Sequence, residues 1–109
     1  TPVREVMTPD PVTVRPTDPV EVAVELLLAR RHTALPVVDG GGLLVGVVSE
    51  ADLLTGRARD VGAVMTRTPV TLPAGATVGD AVALVADRGL RMVPVVDGGV
   101  LVGVVSRGD

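Results

Sequence analysis

Two serine–aspartate pairs carry the clearest chemistry in this chain. They are Ser49 with Asp52 and Ser106 with Asp109, and each follows a short apolar run, Gly46-Val47-Val48 in one case and Gly103-Val104-Val105 in the other. A strand that turns into a helix at such a serine leaves backbone N–H groups and the positive end of the helix dipole at the junction, where they favour an anion such as a phosphate. The serine hydroxyl adds a donor, and Ala51 and Arg107 lie in the same first turn, Arg107 contributing positive charge. The aspartate, one helical step on, brings a carboxylate that can accept both hydroxyls of a ribose through charge-assisted hydrogen bonds. Ser-x-x-Asp at a helix start is also ordinary capping, which requires no ligand. A cap needs only one of the two residues, whereas both copies keep both, so the functional reading is stronger for the aspartates than for the serines.

The elements that must position these pairs are themselves duplicated. The stretch from Val6-Met7-Thr8 to Ala51-Asp52 returns from Val64-Met65-Thr66 to Gly108-Asp109, with Gly42 unmatched, and about half of the aligned positions are identical. Residues 1–56 form unit one and residues 57–109 unit two. Each reads as strand, helix, strand, strand, helix. Val12-Thr13-Val14 is the first strand of unit one. Asp18, Pro19 and Glu21 resemble a capping box, which predicts a helix from Pro19 to Arg31, and Thr77 with Asp80 repeats the signal. Ala34 to Val38 and Leu43 to Ser49 read as a hairpin about Asp39-Gly40-Gly41-Gly42, a turn repeated at Asp97-Gly98-Gly99, and the helix begun at Ser49 should end near Gly56. Pro36 and Pro94 read as first residues of exposed strands. Met7, Met65 and Met92 read as core fillers, and Thr8 and Thr66 as residues that bond nearby backbone.

Composition bounds the function. A chain of 109 residues suffices for one compact domain, so the two units are expected to share a core. With 47% hydrophobic residues and no Phe, Trp or Tyr, that core is aliphatic. A net charge of −3 and the lack of aromatic stacking platforms argue against a nucleic-acid surface. Without Cys there is no disulfide, thiolate nucleophile or Cys-ligated metal. The lone His32, after a helix, has no nucleophile in its local pattern, and Glu21 with Glu25 reads as a wet helix stripe, so no enzyme chemistry and no metal cluster are expected. The apolar stretch Val22 to Ala29 is too short for a membrane span. No export signal is seen, cytoplasmic is the default location, and the chain, lacking an initiator Met, reads as a fragment of a larger protein. The first helix, apolar nearly all round at Val20, Val22, Val24, Leu26, Leu27 and Leu28, predicts a homodimer through the long helices. The alternative is that the helices of one chain cover one another.

Met-Thr-x-x-Pro-Val-Thr, Pro-Val-Val-Asp-Gly and Gly-Val-Val-Ser-x-x-Asp, in this order in both units, resemble the cystathionine-β-synthase (CBS) domain pair, or Bateman module. The resemblance covers essentially the whole chain. It implies an α/β (α+β) fold of two β-α-β-β-α units related by a pseudo-twofold axis, with sheets packed together and two clefts at the seam. It further implies regulatory binding of AMP, ADP, ATP or S-adenosylmethionine there, with Mg²⁺ only alongside a triphosphate, and transmission to a linked effector that the sequence does not name. The resemblance places the base against Asp10, Pro11 and Val12 with Thr33, Ala34 and Leu35 in unit one. In unit two it points to Thr68, Pro69 and Val70 with Met92 and Val93, beside Arg91, whose guanidinium can fork onto a phosphate. Ser49 and Ser106 then face phosphate, and Asp52 and Asp109 ribose. A dimerising scaffold with empty clefts or an unrelated small ligand is the competing reading.

Overall fold

The computed structural model describes residues 1–30, 32–55 and 59–106. The expected helix end at Arg31, the stop at Gly56 and the motif residues Arg107, Gly108 and Asp109 lie outside them. The elements in chain order are a 3₁₀ turn at Val3–Glu5, β1 (Thr8–Pro9), α1 (Val20–Arg30), β2 (Ala34–Val38), β3 (Leu44–Ser49), α2 (Glu50–Thr55) and α3 (Val61–Val64). Then follow β4 (Thr66–Arg67), β5 (Leu72–Pro73), α4 (Val78–Arg88), β6 (Met92–Asp97) and β7 (Val100–Ser106).

The chain divides into two compact units, but not at the repeat boundary. A central unit holds Val12–Pro69, and a terminal unit joins Thr1–Pro11 to Val70–Asp109. Residues 1–56 and 57–109 are therefore units of the duplicated sequence, each lending its first residues to the other's sheet. The terminal unit has the order β1-β7-β6-β5 and the central unit β2-β3-β4. β1 pairs antiparallel with β7 (Thr8↔Val104, Pro9↔Gly103), and β4 pairs with β3 in the same manner (Gly46↔Arg67, Val47↔Thr66).

The expectation of one shared core is corrected by this exchange. Buried residues form two clusters, one around Leu72, Ala81, Val93 and Val95, the other around Val14, Ala23, Leu35, Val37 and Val48. Each is completed by a residue from the start of the other repeat: Val3 enters the first and Val61 the second, both fully buried. An aliphatic core this small gains the volume it lacks by borrowing.

Local signals explain most elements. The hairpins form as expected, with β2 antiparallel to β3 and β6 antiparallel to β7. Asp39 Oδ1 accepts the N–H groups of Gly41 and Leu43, which closes the longer turn. The shorter turn uses Gly98 and Gly99 at φ 58° and 86°, a pair of left-handed residues that glycine adopts without a Cβ penalty. Thr77 caps α4: its Oγ1 accepts from Asp80 N–H at 3.1 Å, and Asp80 Oδ2 accepts from Thr77 N–H at 3.0 Å. Thr77→Ala should cost about 1 kcal/mol and lower Tm by about 4–8 °C, with secondary structure by circular dichroism unchanged.

Three expectations fail for identifiable reasons. Asp18 does not cap α1, because its Oδ2 accepts from Arg15 N–H at 2.8 Å in the preceding turn; the helix starts after Pro19, whose carbonyl accepts from Val22 N–H. Val12-Thr13-Val14 narrows to a single parallel bridge between Val14 and Val37, held by Val14 N–H to Pro36 O and Val38 N–H to Val14 O. Pro36 and Pro94 are not on exposed strands. Both are fully buried within β2 and β6, opposite Val47 and Val104.

No helix of the described residues is long and apolar enough to cross a membrane.

Candidate functional site

The Ser49–Asp52 pair sits where β3 passes into α2, and it is tied to itself. Ser49 N–H donates to Asp52 Oδ2 at 2.9 Å, and Asp52 N–H donates to Ser49 Oγ at 3.3 Å. This is a reciprocal capping box with Asp in the acidic position. Both residues are half-buried. The capping reading and the ligand reading are compatible, because a carboxylate has about four lone-pair sites and one N–H uses one of them. The cap holds the carboxylate in place before any ligand arrives.

At the start of α2, Glu50 N–H donates to Thr33 O at 3.1 Å, Asp52 N–H donates to Ser49 Oγ at 3.3 Å, and Ala51 has a partner as well. With six residues, α2 is also short. A phosphate would therefore rely on the Ser49 hydroxyl and on side-chain charge rather than on a row of vacant amides. The same bond from Glu50 does something useful, since it fastens the loop before β2 to the start of α2. Ala34 and Ser49 are paired residues across β2 and β3, so Thr33 and Ala34 are brought beside the Ser-x-x-Asp turn.

The terminal unit repeats the arrangement as far as it is described. Met92 is paired with Ser106 across β6 and β7, with the exposed Arg91 one residue before. Ser106 is half-buried and has a partner. Arg107 and Asp109 lie outside the described residues.

Leu35 and Val93 do not offer side chains to a base. They are 1% and 0% exposed, members of the two aliphatic clusters, because alternation along β2 and β6 turns them inward. The unit boundary also parts Asp10 and Pro11 from Val12, and Thr68 and Pro69 from Val70.

At that boundary the backbone carries a signal that residue types alone do not give. Asp10 (φ 47°) and Thr68 (φ 52°) occupy equivalent repeat positions, each just before a proline, and both are left-handed without being glycine. Such a conformation costs on the order of 1–3 kcal/mol and persists where the surroundings impose it, as at ligand clamps. Thr68 Oγ1 donates to Arg67 O at 2.6 Å, which ties the side chain locally; Asp10 is exposed.

Two grooves lie along the helices of the described residues. In the terminal unit a groove of about 280 Å³ runs along α4, lined by Val6, Val78, Ala81, Val82, Val85, Ala86, Val105 and Ser106. On the matching face of α1 the space is about 100 Å³, because Leu53 and Leu54 of α2 enter it. Both are apolar and suit packing rather than a charged ligand. Among the described residues no group of His, Cys, Asp and Glu could hold a metal ion.

Comparison with known proteins places this geometry. The CBS domain family model matches residues 3–59 and 58–109. The chain is 31% identical over 131 residues to the CBS domain-containing protein CBSX2 of Arabidopsis thaliana, a chloroplastic protein; the match covers 88% of this chain and 55% of CBSX2, so the chain spans about half of that relative. The crystal structure of CBSX2 in complex with AMP aligns with a TM-score of 0.92 at 36% identity, covering 98% of this chain and 90% of that one. The CBS domain pair of MJ0100 with 5′-methylthioadenosine and S-adenosyl-L-methionine aligns at TM-score 0.88 and 26% identity, over 99% and 90% of the two chains. The cytosolic domain of the Mg²⁺ channel MgtE with ATP aligns at 0.83 and 32%, over 96% and 45%. With the family model matched twice in tandem across both repeats, and mixed α and β elements in the order those pairs show, the chain belongs to the CBS domain family as a domain pair.

Proposed function

We propose that the chain is a regulatory, non-catalytic module that senses adenosine-type nucleotides and passes the change to a linked domain or partner in a cytoplasmic setting. The observation that carries the reading is the near-complete alignment, at 36% identity, with a CBS pair crystallised with AMP, joined to a Ser-x-x-Asp sequence that this chain keeps in both copies. In this reading Asp52 accepts the ribose hydroxyls, Ser49 bonds a phosphate or ribose oxygen, and Thr33 and Ala34 border the base by their backbone. Asp10, Pro11, Val12, Thr68, Pro69, Val70 and Met92 complete the base surroundings. Ala51 borders the phosphate beside Ser49; in the second copy Asp109 takes the ribose role, and Ser106, Arg91 and Arg107 the phosphate role. Mg²⁺ enters only with a triphosphate. A ligand that binds one arrangement of the module better than another shifts the population by its differential affinity, which is the sensing step.

Calorimetric titration with AMP, ADP, ATP and S-adenosylmethionine tests the reading. Saturable binding of at least one supports it; no heat and no thermal shift with any of the four overturns it.

The module is also proposed to act as a homodimer through its long helices. Leu28 on α1 and Leu54 on α2 are 76% and 85% exposed, and Val82 on α4 is 61% exposed, a degree of apolar exposure that favours a covering partner. Sedimentation should show a dimer that Leu28→Glu with Leu54→Glu converts to monomer, with the circular dichroism spectrum retained. A wild-type monomer at high micromolar concentration would contradict it.

A further inference from the structure

We propose that Met7 and Met65 are a paired oxidation site through which a hydroperoxide loosens the two-residue edge strands β1 and β4. The geometry is built twice. Met65 N–H donates to Val61 O at 2.9 Å, and Met7 N–H donates to Val3 O at 3.0 Å, so each methionine closes a short helical turn and immediately precedes an edge strand. Each thioether lies over a glycine of the neighbouring long strand. A Cβ placed on Gly46 would stand 2.8 Å from Met65 Sδ and 3.1 Å from its Cγ; on Gly103 the distances to Met7 Sδ and Cγ would be 2.6 and 3.0 Å.

The sulfur thus occupies space that any other residue would fill with its own side chain. Both methionines are nonetheless half-buried rather than sealed, so an oxidant has access. Oxidation is a two-electron oxygen transfer: a sulfur lone pair attacks the peroxide, the O–O bond breaks, an S–O bond forms, and water or an alcohol leaves. The sulfoxide is larger and polar, whereas Met7 and Met65 each pack against one of the two aliphatic clusters, which a polar group disfavours.

Each edge strand is held by two residue pairs only, so displacement of the sulfur acts on the whole strand. The strand then leads directly into Asp10-Pro11-Val12 or Thr68-Pro69-Val70. On the nucleotide reading above, the oxidised chain binds more weakly; release of the strands does not depend on that reading. Met92, half-buried in β6, supplies none of the atoms nearest a Cβ placed on Gly46 or Gly103 and serves as a control for Tm and exchange, though not for AMP affinity, since it borders the proposed base site.

The experiment treats the full chain with hydrogen peroxide and maps oxygen uptake by peptide mass spectrometry. It then follows Tm, hydrogen exchange and AMP affinity. Expected are oxygen at Met7 and Met65, a lower Tm, and amide exchange at Thr8, Thr66 and Arg67 faster by about tenfold. Methionine sulfoxide reductase should reverse all three. The double variant Met7→Leu with Met65→Leu, which conserves volume, should be indifferent to peroxide, whereas Met92→Leu should remain sensitive. Should the Leu pair fail to fold, reversal by the reductase on the wild-type chain decides alone.

Sulfoxide at both positions with unchanged Tm and exchange would overturn the proposal, as would the absence of oxygen uptake at either. If the untreated chain binds no AMP, the nucleotide reading fails, while Tm and exchange still decide this one.

Discussion

Gly46→Ala should destabilise the protein by about 1–3 kcal/mol, a fall in Tm on the order of 5–20 °C for a chain of this size. The reason is a pair of obstacles of different stiffness. The new methyl would lie 2.8 Å from Met65 Sδ, which a flexible side chain can concede, and 2.8 Å from the Thr66 carbonyl oxygen, which it cannot. That carbonyl belongs to β4, whose pairing with β3 at Gly46↔Arg67 and Val47↔Thr66 holds the second repeat's first residues in the central unit. The strand must therefore retreat or the pairing must break. Gly103→Ala meets Met7 Sδ at 2.6 Å and the Thr8 carbonyl at 2.9 Å and should behave alike. Neither glycine has a positive φ, so the cost is steric and not conformational. Differential scanning calorimetry measures it. An unchanged Tm in either variant would mean that the edge strands contribute nothing to stability.

Asp52→Asn should weaken nucleotide binding by roughly ten- to hundredfold while changing Tm little. A hydrogen bond to a charged group is worth about 1.5–3 kcal/mol, and each 1.4 kcal/mol is a factor of ten. The amide oxygen of Asn can still accept from Ser49 N–H, so the cap survives while the carboxylate charge is removed. Asp52→Ala removes both and should add a loss of about 1 kcal/mol in stability. Comparing the two separates ligand grip from capping. Equal affinity of Asp52→Asn and wild type would assign the aspartate to the cap.

Much of this was legible in the residues because duplication makes weak local signals speak twice. The hairpins follow from β-branched runs around glycine turns, and the Thr77 box from a Thr-x-x-Asp spacing that the structure realises bond for bond. Asp18 carries the same signal and is diverted by Arg15 N–H, a competitor three residues upstream that spacing cannot rank. The exchange of first residues between repeats was not legible. Thr8–Pro9 and Thr66–Arg67 are too short for any periodicity, and their partners lie far along the chain. The burial of Pro36 was not legible for a related reason: burial on both faces of a strand depends on what packs over it, not on the run itself. At the site, the type and spacing of Ser49 and Asp52 were readable, whereas the occupation of the Glu50 amide by Thr33 and the left-handed backbone at Asp10 and Thr68 exist only once the chain is folded.

The account turns on a carboxylate that holds ribose hydroxyls, and a thermodynamic cycle addresses it directly. Calorimetric affinities of wild type and Asp52→Asn are measured for AMP and for its 2′,3′-dideoxy analogue. If Asp52 grips those hydroxyls, removing them from the ligand costs wild type roughly tenfold or more and costs Asp52→Asn far less, giving a coupling of about 1 kcal/mol or greater. Equal losses in the two proteins, with no coupling, would contradict the assignment.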